Sequence, residues 1–179
     1  MSSVGSPGSL PPDVLVGDGC YLRALSVTDW AIEQALSRDS DVVRWTYYPV
    51  ELTEDESRHR IQDSLERTGV GLLRRYVVVE GGTPVGTCGI AGLDGDCPHI
   101  YYALLPGGRG RGIATSAARL LVEWALTSGY AVVSLETIQG NQASERVATK
   151  AGFRPVDRYH ADHRGETAWL TRWTIGAAD

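Results

Sequence analysis

The sequence predicts a single-domain α/β (α+β) fold: a mixed, mostly antiparallel sheet of about seven strands carrying about four helices. Three observations lead there. Two helical segments with capping signals come early, a run of turn-linked strands follows, and a strand–helix–strand–helix succession closes the chain. With 179 residues the chain is long enough for one domain with a proper core.

The elements follow in order. Residues 1–13 read as a flexible N-terminal tail, because Met1 to Pro12 are mostly Ser, Gly and Pro with no basic stretch or apolar segment of a signal peptide. The domain is then expected over 14–176. Tyr21 to Leu25 predicts a short strand, and Thr28-Asp29 offers an N-cap for a helix to about Arg38. Thr53-Glu54-Asp55-Glu56 has capping-box spacing and starts a helix through Leu65. Tyr76 to Val79, the Gly81-Gly82 turn and Thr83 to Ile90 predict a hairpin. A third strand spans His99 to Leu104. From Gly112 to Ser128, residues Ile113, Ala117, Leu120, Leu121 and Trp124 recur at helical spacing, and Gly129 suits the end of that helix. Val132 to Thr137 is a strand, Gln142 to Ala151 a short helix stopped by Gly152, and Phe153 onward with Ala168 to Ile175 supplies two last strands.

Composition narrows the function. No apolar run approaches the roughly 20 residues of a membrane span. The net charge of −5, with no basic face, argues against a nucleic-acid partner. Cys20, Cys88 and Cys97 are odd in number and widely spaced, which fits reduced thiols in a cytoplasmic protein. His99, His160 and His163 lack the spacing and partners of a metal site, so no metal is expected.

One stretch carries the chemistry. The strand-like run to Leu105 stops at Pro106 and enters Gly107-Gly108-Arg109-Gly110-Arg111-Gly112 before a long helix opens at Ile113. Backbone amides of such a loop, with the unpaired amides of a helix start, cradle phosphate oxygens; arginine adds positive charge. A Gly-rich turn ahead of a helix is also commonly just a turn.

Two segments taken together resemble the GNAT acetyltransferase superfamily. Arg109-Gly110-Arg111-Gly112-Ile113-Ala114 is similar to its Gln/Arg-x-x-Gly-x-Gly/Ala pyrophosphate loop. Leu135-Glu136-Thr137, Asn141-Gln142-Ala143-Ser144 and Lys150-Ala151-Gly152-Phe153 are similar to the segments that follow it. The Asn-x-x-Ser version, with Arg44-Trp45 and Thr53-Glu54, looks most like the subgroup (RimJ/RimL-like) that acetylates N termini of ribosomal proteins, which also holds small-molecule amine acetyltransferases. The resemblance implies a sheet splayed at the cofactor site and acetyl-CoA as co-substrate. Tyr102, Ala103 and Leu104 would pair with the pantetheine arm. Arg109 and the amides of Gly110, Arg111, Gly112, Ile113, Ala114 and Thr115 would hold the pyrophosphate, and Asn141 would bond the pantetheine or a water. Position 148, where many members place a tyrosine acid, is Ala148; in the Asn-x-x-Ser subgroup the serine, here Ser144, stands near the sulfur.

Transfer of an acyl group to an amine needs a neutral amine and help for the leaving thiolate. Glu136, opposite Leu135 in strand alternation, reads as the base, direct or through water, or as a strand carboxylate paired with an arginine. Ser144 reads as a hydrogen-bond donor to sulfur or as first-turn helix chemistry under an Asn141 cap. Trp45 and Tyr47, with Tyr48, read as an acceptor wall or as packing of the first helix. Lys150 and Arg146 read as ribose-phosphate contacts or as solvated charges. The expected function is acetyl-CoA-dependent N-acetyl transfer to a primary amine, on a peptide N terminus or a small molecule, by a monomer or homodimer. The alternatives are another acyl-CoA donor, or a non-catalytic acyl-CoA-binding sensor of the same fold.

Overall fold

Among the described residues, eight strands form one sheet, ordered β1-β2-β3-β4-β5-β6-β8-β7. They are β1 (Val14–Val16), β2 (Tyr21–Ala24), β3 (Leu73–Glu80), β4 (Thr83–Ala91), β5 (His99–Leu104), β6 (Val132–Ile138), β7 (Arg154–His163) and β8 (Glu166–Gly176). Every neighbour pair is antiparallel except β5 and β6. The structure is a computed structural model that describes residues 10–176, so the first nine residues of the expected tail lie outside the described residues. In the rest of that tail, the Tyr76 hydroxyl donates to the Pro12 carbonyl at 2.8 Å and the Ala24 amide to that of Asp13 at 2.7 Å.

The count exceeds the expected seven strands by β1, three residues too short to carry an alternation signal. Among the described residues, five α-helices replace the expected four: α1 (Trp30–Arg38), α2 (Ser40–Trp45), α3 (Glu54–Gly69), α4 (Ile113–Thr127) and α5 (Gln142–Ala151). The additional helix is α2, whose N-cap Asp39 accepts the Val42 amide at 2.9 Å. Six residues give too few turns to show periodicity. Asp29 is the N-cap residue of α1, as expected, but makes no side-chain cap bond to it, and a 3₁₀ turn precedes the helix. Ser26 caps that turn, Val27–Asp29, and its amide donates to the Asp29 carboxylate at 2.8 Å. The Thr53–Glu56 capping box is present, and α3 runs four residues beyond Leu65.

The sheet separates two cores. Tyr76, Val78, Ile100 and Leu135 pack with Ile113, Ala117 and Leu121 of α4 and Ala148 and Ala151 of α5. Val77, Val79 and Ala103 pack on the other face with Ile32 and Leu36 of α1, Val42 of α2 and Ile61 of α3. Alternation along β3 thus feeds both cores, which is why its sequence reads as one continuous apolar run.

Candidate functional site

The site lies where the sheet opens. Residue pairing between β5 and β6 is confined to His99 opposite Ser134. Past that point Tyr102, Ala103 and Leu104 pair with Cys88, Thr87 and Gly86 of β4 on one edge, while the edge toward β6 carries no ladder. An extended ligand can add itself to such an edge as a strand would.

The open edge runs directly into the glycine loop. Pro106–Gly108 form a 3₁₀ turn, and Gly110 and Gly112 take φ values of 77° and 82°, the left-handed region that favours glycine. Gly112 is the N-cap of α4 and offers no side chain to that helix start. The first helical bond runs from the Ser116 amide to the Gly112 carbonyl at 2.9 Å, so the amides of Ile113, Ala114 and Thr115 are left for an outside acceptor.

The loop arginines face the protein. The Arg109 guanidinium donates to the Leu104 carbonyl at 2.8 Å, to Asp41 at 3.0 Å and to Asp39. Burial pushes the Asp39 carboxyl up, but hydrogen bonds from Arg109 and the Val42 amide hold it below its ordinary value. Arg111 bonds Glu80 and the Gly107 carbonyl. Both side chains brace the loop, whose Gly108 and Arg109 amides bond back to Leu105 and Pro106. Lys150 and Arg146 are exposed on α5.

Across the opening, Asn141 caps α5 by accepting the Ser144 amide at 3.1 Å. The Ser144 hydroxyl lies 2.7 Å from the Tyr102 hydroxyl, a bridge from α5 to β5. Burial, partly offset by that bond, pushes the Tyr102 phenol up to about 12. Ala148 is wholly buried in the core shared with α4. The sequence singled out Tyr102 for its backbone only; nothing local signals a hydroxyl contact 42 residues away.

The opposite face of the same opening carries Glu136. Its carboxylate accepts from Arg172 at 3.2 and 3.3 Å and from the Tyr159 hydroxyl. Both donors sit on the β7–β8 hairpin; an arginine partner was one of the readings of Glu136, while its identity and the Tyr159 contact were not legible in the sequence. His99 stands on this face two residues from the Glu136 register position. Burial holds its imidazole below its ordinary value, Glu136 opposing and Arg172 reinforcing the shift. Tyr47 is exposed and donates its hydroxyl to the Asp162 carbonyl at 3.0 Å. Burial, then the charges of Glu136 and Asp162, push its phenol up. Trp45 is half-buried under the Arg44 guanidinium, 4.6 Å from the ring centre, and lies against Gly140, just before Asn141. Tyr48 turns away into the core, where its hydroxyl donates to the buried Glu33 at 2.6 Å.

The hairpin tip fastens to α2. Arg164 donates to the carbonyls of Val43 at 2.7 Å, Thr46 at 3.2 Å and Tyr48, and His163 contacts that of Arg44 at 2.8 Å. On this face, between α3 and the sheet, lies a cleft of about 720 Å³ lined by Leu52, Arg60, Ser64, Arg75 and Tyr101 among others. Among the described residues, no cluster of His, Cys, Asp and Glu is placed to hold a metal, and no helix is long and apolar enough to cross a membrane.

The family model described as the acetyltransferase (GNAT) domain matches residues 20–154, most of the chain and all of the opening, the glycine loop and α5. The chain belongs to the GNAT acetyltransferase family. Membership carries that family's general chemistry, acyl transfer from acetyl-CoA to an amine. Solved structures share the fold. The ribosomal L7/L12 alpha-N-protein acetyltransferase RimL in complex with coenzyme A superposes with a TM-score of 0.82 at 17% identity, over 91% of this chain and 97% of that one. The microcin C7 self-immunity acetyltransferase MccE, in complex with acetyl-CoA and AMP, gives 0.82 at 16% identity over 90% and 94%. The ribosomal-protein-S5-alanine acetyltransferase from Vibrio fischeri gives 0.79 at 16% identity over 91% and 96%. No curated protein sequence matches the chain.

Proposed function

We propose that this protein transfers an acetyl group from acetyl-CoA to a primary amine by direct attack in a ternary complex. The observation that carries the reading is the β5 edge, free of β6 beyond His99, leading straight to the unpaired amides at the start of α4. The pantetheine arm would lie along Tyr102, Ala103 and Leu104, with the pyrophosphate on the amides from Gly110 to Thr115. Asn141 caps the first turn of α5 through its Oδ1 and would also bond the pantetheine or a water.

The amine would approach on the Glu136 face, past Trp45 and Tyr47. Its nitrogen attacks the thioester carbonyl carbon, the carbon–sulfur bond breaks, and the electron pair stays on sulfur. Glu136, directly or through a water, takes the proton that the amine sheds. Arg172 and Tyr159 hold that carboxylate in place. Ser144 lies on the other side of the opening, where a hydroxyl can donate to the departing thiolate. The acceptor is a peptide N terminus or a small aminated molecule, since the named relatives include acetyltransferases of ribosomal proteins and a self-immunity enzyme.

Free-CoA release measured against a panel of peptide N termini and small amines tests the reading. Amine-dependent release supports it. Binding of acetyl-CoA without release by any amine would instead favour a non-catalytic acyl-CoA sensor.

A further inference from the structure

The side chain of Tyr102 has no part in pairing β5 with a ligand, yet it is the group that reaches Ser144. Tyr102 alternates with Tyr101 and Ala103, which face the α1–α3 side, and therefore points toward α5. Ser144 sits in the first turn of α5, its amide tied to Asn141 Oδ1. The two hydroxyls thus meet between rigid elements, a strand and a capped helix, with no loop involved.

Of the two, one must donate. Either hydroxyl can donate at 2.7 Å; a phenol is the better donor and an aliphatic hydroxyl the better acceptor, which favours Tyr102 as the donor. Ser144 has a single proton, and this arrangement leaves it pointing elsewhere. Donation into Ser144 Oγ also polarises the remaining O–H, since chained hydrogen bonds reinforce one another. From this geometry we infer that Tyr102 is a positioning residue that aims the Ser144 hydroxyl at the thioester sulfur. The inference rests on the acetyl-transfer reading above.

Tyr102 is not itself the proton source. Its phenol, at about 12, lies far above a thiol near 8.5, so proton transfer to the thiolate is unfavourable. Both hydroxyls keep their protons: the carbon–nitrogen bond forms, the carbon–sulfur bond breaks, the pair on sulfur is met by a hydrogen bond from Ser144, and the amine proton leaves by Glu136 or water. The device replaces an acid at position 148, where Ala148 is sealed in the core.

A double-mutant cycle tests this. The wild type, Tyr102→Phe, Ser144→Ala and the double variant are assayed for kcat with an active amine, and for acetyl-CoA affinity by calorimetry. Tyr102→Phe should lower kcat about tenfold, the loss of one hydrogen bond's worth, with acetyl-CoA affinity within about twofold. In the Ser144→Ala background the same change should have no further effect. Ser144→Thr, which restores a hydroxyl, should restore the sensitivity to Tyr102→Phe. Equal losses in both backgrounds, or a loss of acetyl-CoA affinity in Tyr102→Phe, would overturn the inference while leaving the reading intact. A wild type that neither binds acetyl-CoA nor releases CoA would overturn both.

Discussion

Arg172 on β8 places its guanidinium 3.2 Å from the carboxylate of Glu136, the register partner opposite it on β6. Tyr159 on β7 donates to the same oxygen, so the last hairpin fixes the group proposed to take the amine proton.

Glu136→Gln should therefore lower kcat/KM by about 10²- to 10⁴-fold. The defect should shrink as pH rises, because an α-amino acceptor titrates near 8 and arrives increasingly neutral. A pH–rate profile of both proteins with one acceptor checks this; a defect independent of pH would remove Glu136 from proton traffic.

Trp45 lies against Gly140, just before Asn141, on the side proposed for the acceptor. Trp45→Ala should raise the acceptor KM more than the acetyl-CoA KM. Equal effects on the two would leave Trp45 a packing residue only.

Stability rests partly on a buried charge. Glu33 is fully buried and takes hydrogen bonds from Arg75, Arg60 and Tyr48. Arg75→Met strips the buried carboxylate of its most buried cationic partner and should cost about 3–5 kcal/mol. Denaturant unfolding should show much of that loss recovered in Arg75→Met/Glu33→Leu, which removes both charges; no recovery would assign the loss to packing.

Asp39 gives a pH signature. Its carboxyl is held below its ordinary value in the folded chain, so its pairing contributes stability above the unfolded value and loses it as pH falls through the folded one. Asp39→Ala, which removes the α2 cap and the Arg109 partner, should cost roughly 1–2 kcal/mol at pH 7. Thermal melts at pH 7 and pH 3 should show the difference from wild type narrowing at the lower pH. A constant difference would mean that the cap hydrogen bond, and not the charge, carries the effect.

What the sequence disclosed follows from the range of each signal. Strand β5 and helix α5 have the same bounds in sequence and structure, because their punctuation is local: Pro106 follows one, while Asn141 and Gly152, at φ 99°, bracket the other. The glycine loop was legible for the same reason. Its arginines were expected to add positive charge beside the phosphate-binding amides; the ion pairs their side chains make with Asp39, Asp41 and Glu80, partners 31 to 70 residues away, gave no local signal. Tyr159, Arg172 and the Tyr102 hydroxyl were invisible as site groups because their contacts arise only when β7, β8 and α5 come together. Helix α2 escaped because six residues carry no period.

The glycine loop bears the central claim, and acetyl-CoA binding tests it most directly. Acetyl-CoA at 100 times its dissociation constant should stabilise the wild type by about 2.7 kcal/mol, seen as a rise in Tm. Gly112, at φ 82°, sits where the pyrophosphate should rest, and aspartate and asparagine tolerate that conformation better than most residues. Gly112→Asp should fold and lose the shift, by crowding and by setting an anion against the pyrophosphate, whereas the uncharged Gly112→Asn should retain more of it. A folded Gly112→Asp protein with an undiminished shift would contradict the account.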